Sequence, residues 1–129
     1  MLLKTFGLLL VIGTAGACSG SHAGGSGTTT PSPQPGGATV TITADGVVPK
    51  NLTVAPGSQV TFVNNDSSHH NMYSDPHPEH TDCPEFDSVG FLTPGQSRQT
   101  SNLNVVRTCG YHDHDDAQNS KWKGNIVIQ

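Results

Sequence analysis

Charged side chains are scarce in this sequence. Of its 129 residues 12% are charged, about half the share of a typical soluble domain, and six Lys plus Arg face ten Asp plus Glu. The formal net charge of -4 argues against a nucleic-acid partner, because phosphate backbones call for a basic surface. Aromatic residues make up only 5%. The length allows one domain of ordinary size and excludes a multi-domain enzyme.

Glycine, proline and histidine are plentiful instead. The chain has 15 Gly, 9 Pro, 3 Cys and 7 His, and all but one of the histidines follow residue 68. Abundant Gly and Pro favour short strands and turns, and no window longer than about ten residues has the apolar spacing of a helix. Histidine is the commonest metal ligand among side chains, so its clustering predicts a metal site.

Residues 1–17 have the pattern of a secretory signal. Lys4 is their only charge, the apolar run 6–12 falls short of the roughly 20 residues that span a bilayer, and small residues follow at 13–17. Cys18 comes directly after Ala-Gly-Ala, which resembles a bacterial lipobox, although Ala15 stands where leucine is usual. Lipid attachment at Cys18 is therefore predicted, and ordinary signal cleavage is the alternative.

The composition of residues 18–37 predicts a tether that begins at the lipid-attachment residue, Cys18. Residues 19–37 are mostly Ser, Gly, Thr and Pro, with no acidic or basic residue, and cannot bury enough surface to order themselves. We expect an exported protein, periplasmic or on the cell surface, that meets the membrane only through its lipid.

Residues 38–129 predict a small β domain. Short alternating runs separated by turn signals place strands at 39–43, 51–54, 59–64, 69–74, 91–92, 96–103, 105–112 and 125–129. Six to eight such strands in about 90 residues indicate a sandwich or small barrel. Between them, 75–89 is a long irregular stretch, and loops of that length tend to be functional or braced.

Cys83 and Cys109 are expected to restrain this irregular stretch. Two cysteines in the mature part of an exported protein are expected to form a disulfide. Ligation of a metal by the thiolate of Cys109 is the weaker alternative.

The order of motifs resembles the cupredoxin family of plastocyanin-like copper domains. The resemblance covers 38–129 and is carried by segments 44–50, 52–57, 60–65, 70–73, 110–114 and 122–128. It implies an all-β, Greek-key cupredoxin-like sandwich or barrel, and it implies that His70 is a copper ligand.

The carboxy-terminal ligand loop departs from that family. Aligning Tyr111-His112-Asp113 with the family's aromatic-x-Cys puts Asp113 at the thiolate position, and the axial methionine position falls near Trp122. Because a blue copper site needs the soft sulfur, this chain is predicted to hold copper of type-2 character, with zinc as the other ion that suits imidazoles.

The candidate ligands are His70, His112 and His114, with His77, His80 and Asp113 as further candidates. If the strand continues through residue 114, His112 and His114 converge and Asp113 faces away. If the chain leaves the strand earlier, Asp113 enters the site, and the sequence leaves both geometries open. For three residues a structural role is favoured over metal binding: an exposed side chain for His69, and core packing for Met72 and Trp122.

Three functions follow from these residues. The first is copper holding or delivery, or electron transfer, with a redox or copper-trafficking protein as partner. The second is a copper-dependent enzyme acting on a small oxidant, which is less favoured because no nucleophile–base arrangement is present. The third is a metal-free interaction module, since a fold does not imply a function.

Overall fold

The computed structural model describes residues 37–129. The predictions for the signal, for lipid attachment at Cys18 and for most of the tether lie outside these residues. Within 37–129 no helix is long and apolar enough to cross a membrane.

Nine strands and three short 3-10 helices make up this domain. The strands are β1 Ala38–Thr43, β2 Gly46–Val48, β3 Asn51–Val54, β4 Val60–Asn64, β5 His70–Ser74, β6 Gly90–Leu92, β7 Ser97–Gln99, β8 Arg107–Asp113 and β9 Gly124–Ile128. The 3-10 helices are η1 Pro84–Ser88, η2 His114–Asp116 and η3 Ser120–Trp122.

The strands form two mixed sheets. One has the order β2-β1-β4-β7 and the other the order β3-β9-β8-β5-β6. β1 runs parallel to β4, and β3 runs parallel to β9, while the other pairs are antiparallel. The predicted all-β sandwich is confirmed.

The core lies between the sheets and follows the alternation of the strands. On β1, Val40 and Ile42 are buried, and on β4 the ring of Phe62 meets those of Phe86 and Tyr111 edge-on at 5.5 and 5.2 Å. Burial raises the pKa of Tyr111, so its phenol stays protonated. Met72 is fully buried and Trp122 packs against this core, as their sequence context indicates.

Most strand boundaries differ from the prediction by no more than two residues, and two differences are larger. Gly46–Val48 forms a strand that the alternation did not reveal, because three residues are too few to show a period of two. The strand expected over 96–103 is confined to Ser97–Gln99. After it the chain leaves the sheet, and Leu103 makes an isolated bridge with Ser58.

The irregular stretch after β5 is braced as expected. Cys83 and Cys109 form a disulfide that joins this stretch to β8, and both residues are fully buried. Since both sulfurs are bonded to each other, the alternative of a Cys109 thiolate ligand is wrong. The residues before Cys83 lie over the outer face of the second sheet, where Asp75 contacts Gly110 and His112 of β8.

Candidate metal centre

Four histidines converge on that outer face, and we call them the histidine group. One ring nitrogen from each lies within 4.8 Å of those of all the others: His77, His80, His112 and His114. Two come from the loop between β5 and η1, and two from the end of β8 and the start of η2. Their burial ranges from the buried His112 to the exposed His77.

The period of the strand explains the contribution of β8. His112 is in the strand and His114 follows its last residue, so both reach the outer face while Asp113 points into the sandwich. His112 and His114 thus share a face and Asp113 faces away, as expected for the first of the two geometries, although β8 ends at Asp113 and His114 already belongs to η2.

The loop that carries His77 and His80 is held by its own hydrogen bonds. The N–H of His80 donates to Pro76 O (2.8 Å), and the hydroxyl of Ser74 donates to His80 O (2.9 Å). His80 has a φ of 55°, in the left-handed region that side chains other than glycine seldom adopt. Its ring stacks on Tyr73, with centroids 4.6 Å apart. Strained residues held in this way cluster at functional sites.

His112 is the most constrained member of the group. Its Nδ1 lies 2.6 Å from Oδ1 of Asp75. Its Nε2 is buried and has no hydrogen-bond partner among the described residues. A buried polar atom without a partner costs free energy, and an absent ion is one of the few explanations for it.

The electrostatics of the group favour a neutral ring at His80. Burial lowers the pKa of His80, and the neighbouring rings of His114, His112 and His77 lower it further, against a smaller opposing effect of Asp87. Nδ1 of His114 lies 3.1 Å from Nε2 of His80, a distance at which one ring donates and the other accepts. Neutral imidazole is the form that binds metals.

The donor set fits Cu(II) or Zn(II). All four donors are imidazole nitrogens, which suit these borderline ions, whereas Ca(II) and Mg(II) prefer oxygen. The buried Nε2 of His112, which has no partner among residues 37–129, is the observation that supports this fit beyond the proximity of the four rings.

His70 and Asp113, predicted as ligands, lie together but outside the histidine group. Nδ1 of His70 is 2.7 Å from Oδ2 of Asp113, and its Nε2 is 3.1 Å from Oδ2 of Asp66. The ring also lies against Trp122, with centroids 4.4 Å apart. We call His70 and Asp113 the inner pair.

The carboxylate of Asp113 is fully engaged in this arrangement. Besides His70, it accepts from the backbone N–H groups of Asn71 (3.0 Å) and Asp115 (3.2 Å). It therefore fixes β5 and caps η2 rather than reaching the outer face. His69 lies exposed near Asp115, as its sequence context indicates.

Comparison with solved structures identifies the fold. A purple cupredoxin from Nitrosopumilus maritimus matches with a TM-score of 0.56 and 19% identity, over 71% of this chain and 99% of the other. The chain has a cupredoxin fold. Plastocyanin from Dryopteris crassirhizoma (TM-score 0.55, 18% identity, 71% and 100% covered) and an oxidised amicyanin variant (0.54, 18%, 71% and 81%) share this cupredoxin fold. No family model and no curated protein matches the sequence.

The cupredoxin domain described here lacks an evident sulfur ligand. Cys83 and Cys109 are bonded to each other, and Met72 lies in the core rather than beside the histidine group. The Cys and Met ligands of a blue-copper site are therefore not evident among residues 37–129.

Sequence reasoning missed the acidic partners of the histidines. Asp75 and Asp66 were not among the candidates, although each contacts an imidazole. The contact of Asp75 with His112 spans 37 residues and depends on how the loop folds over β8. The only sequence signal is Gly110, two residues before His112, where the strand has no side chain on its outer face.

Proposed function

We propose that this cupredoxin-fold protein binds Cu(II) through the histidine group and holds or delivers copper outside the cytoplasm. The observation that carries the proposal is the buried Nε2 of His112, which has no partner in the described domain and lies among three other imidazoles. A bound cation would satisfy this atom.

Copper is preferred over zinc on general grounds. Sites built from nitrogen donors bind Cu(II) more tightly than Zn(II), following the Irving–Williams order. Four neutral imidazoles supply strong donors without adding charge, so the site would keep the two positive charges of the ion. When bound, Cu(II) supplies a redox-capable Lewis acid, which the surrounding imidazoles would stabilise in its oxidised form.

The exposure of the ligands supports holding and delivery over rapid electron transfer. His112 is buried beneath the loop, whereas His77 is exposed, so one ligand of the site faces solvent and an acceptor protein. A thiolate, which eases electron exchange in blue copper sites, is absent from the group. The acceptor would be a copper-trafficking protein that offers its own ligands at the His77 side.

The same proposal includes export of the protein and its attachment to a membrane by a lipid. The signal-like pattern of residues 1–17 and Cys18 after Ala-Gly-Ala support export and lipid attachment. The Gly/Ser/Thr/Pro-rich composition of residues 19–37 supports a linker between the lipid and the domain.

Titration of the purified protein with Cu(II) and with Zn(II), followed by electron paramagnetic resonance and visible spectra, tests the proposal. We expect one Cu(II) per chain with nitrogen hyperfine structure and no intense blue band. The double variant His112→Ala/His114→Ala should lose this binding, whereas His69→Ala, which removes an exposed imidazole outside the group, should retain it.

Two results would contradict the proposal. Wild-type protein that binds neither ion more tightly than the double variant would point to a metal-free interaction module. Bound copper that cycles rapidly between its two oxidation states at an electrode would favour electron transfer over holding.

A further inference from the structure

Asp75 occupies a special position beside the histidine group. Its Oδ1 accepts from Nδ1 of His112 (2.6 Å), and its backbone N–H donates to Gly110 O (2.9 Å). Its own carbonyl accepts from the N–H of Asp82 (2.8 Å). The residue is thus tied to β8 and to the far end of the loop that carries His77 and His80.

Gly110 makes room for this carboxylate. A Cβ added at Gly110 would collide with the side chain of Asp75, Oδ2 first. The position faces the outer surface of β8, two residues before His112, so any larger residue there would push the carboxylate off the strand. The missing side chain and the acidic partner belong to one arrangement.

The hydrogen bond decides which nitrogen of His112 is free. An ionised carboxylate can only accept, and a neutral imidazole has one N–H. When the ring is neutral, Nδ1 must therefore carry the proton, which leaves the lone pair on Nε2. That is the buried nitrogen without a partner in the described domain.

We propose that Asp75, seated on Gly110, is a positioning residue that holds His112 in the Nδ1–H tautomer and aims Nε2 at the metal. The inference rests on metal binding by the histidine group. Asp75 does not itself belong to that group. It acts through His112, and by starting the loop it also sets the reach of His77 and His80.

A purely electrostatic role is the competing explanation, since any carboxylate near a cation raises affinity. Glu79 provides the matched control. It lies in the same loop, next to His80, is exposed, and makes no hydrogen bond or ion pair with the residues described. Glu79→Gln removes the same charge without touching His112.

The experiment has two readouts on the full chain. In the metal-free protein, nitrogen-15 NMR of the imidazole rings should show the Nδ1–H tautomer for His112 in the wild type and in Glu79→Gln. Asp75→Ala and Gly110→Ala should both lose it. Zn(II) and Cu(II) affinities should fall about 10- to 100-fold in these two variants and stay within about twofold of wild type in Glu79→Gln.

Gly110→Ala keeps every charge, so a loss there identifies position rather than charge as the cause. Thermal unfolding of the metal-free variants checks that each is folded before affinities are compared. An unchanged tautomer in folded Asp75→Ala, or an equal affinity loss in Glu79→Gln, would overturn the inference. A wild type with the expected tautomer but no metal affinity would instead contradict the proposed function.

Discussion

Two neighbouring residues of β8 lead to two different histidine environments on opposite faces of one sheet. His112 points outward to the histidine group, and Asp113 points inward to His70. His70 has carboxylate oxygens within 3.1 Å of both ring nitrogens, whereas His112 has a carboxylate at one nitrogen and no partner in the described domain at the other.

The difference shows what makes a buried histidine available to a metal. An imidazole needs one nitrogen held and the other free, because the second lone pair is the ligand. In the inner pair, both ring nitrogens of His70 contact carboxylates. In the histidine group, one nitrogen of His112 is held by a carboxylate that orients the ring, and the other remains available to a metal.

Removing His70 should have the largest effect, and on stability alone. Its side chain and that of Asp113 are each 4% exposed, so His70→Ala removes the imidazole from a buried carboxylate, which keeps only its two backbone donors. We expect a loss of about 3 to 5 kcal/mol in the free energy of unfolding, measured in urea. Cu(II) affinity of the folded variant should be unchanged. A variant that loses copper affinity while still folded would show that the two environments are not separate.

Breaking the disulfide should affect both stability and the outer site. The Cys83–Cys109 bond ties the loop of His77 and His80 to β8, which carries His112. Cys83→Ser/Cys109→Ser should lose about 3 kcal/mol of stability in the loop-entropy model. Metal affinity should also fall, because the two halves of the histidine group are no longer clamped together. His70→Ala is the control that loses stability without losing the clamp. Retained affinity in the folded double variant would mean that the loop closes over β8 unaided.

Replacing His77 should have a smaller effect than replacing His112. His77 is exposed, so His77→Ala should weaken Cu(II) binding about tenfold, or about 1.4 kcal/mol, and speed metal release to a chelator. His112→Ala should weaken binding further. Stopped-flow release rates with a coloured chelator distinguish the two variants. Equal effects of the two substitutions would contradict the proposal that delivery depends on the different exposure of His77 and His112.

Acid should act on the inner pair through Asp66, with the smallest effect. The hydrogen bond from His70 lowers the pKa of Asp66 below its usual 3.8. Folding therefore favours the ionised carboxylate, which adds stability above about pH 4 and loses that contribution as the pH falls below it. Asp66→Asn should flatten the fall in unfolding free energy below about pH 4. The exposed Asp45→Asn should not, and equal slopes for Asp66→Asn and wild type would contradict this role.

The sequence predicts those parts of the molecule that depend on local pattern. Alternation located most strands, and the period of two predicted that His112 and His114 would share a face if β8 continued. The pairing of Cys83 with Cys109 followed from the expectation of export. The strand signals lie in neighbouring residues, whereas the disulfide was inferred from the number of cysteines in a domain expected to be exported.

Contacts between distant segments, apart from the Cys83–Cys109 pairing, were beyond the sequence. His70 was assigned to the metal by resemblance, yet its partner Asp113 lies 43 residues away and meets it across the β5–β8 pairing. Which histidine has a free nitrogen is decided by Asp66 and Asp75, and neither stands out in composition or spacing. Only the folded loop shows that Asp75 reaches His112 rather than solvent.

Trp122 allows the inward-facing side of β8 to be followed by fluorescence, apart from the outward-facing side. It is the sole tryptophan of the chain, and its ring lies 4.4 Å from that of His70. Its intrinsic fluorescence therefore reports on the inward-facing side of β8, while the spectrum of added Cu(II) reports on the outward-facing side. One unlabelled sample therefore offers two optical signals, the absorption of bound Cu(II) for loading of the site and the fluorescence of the metal-free protein for the surroundings of His70.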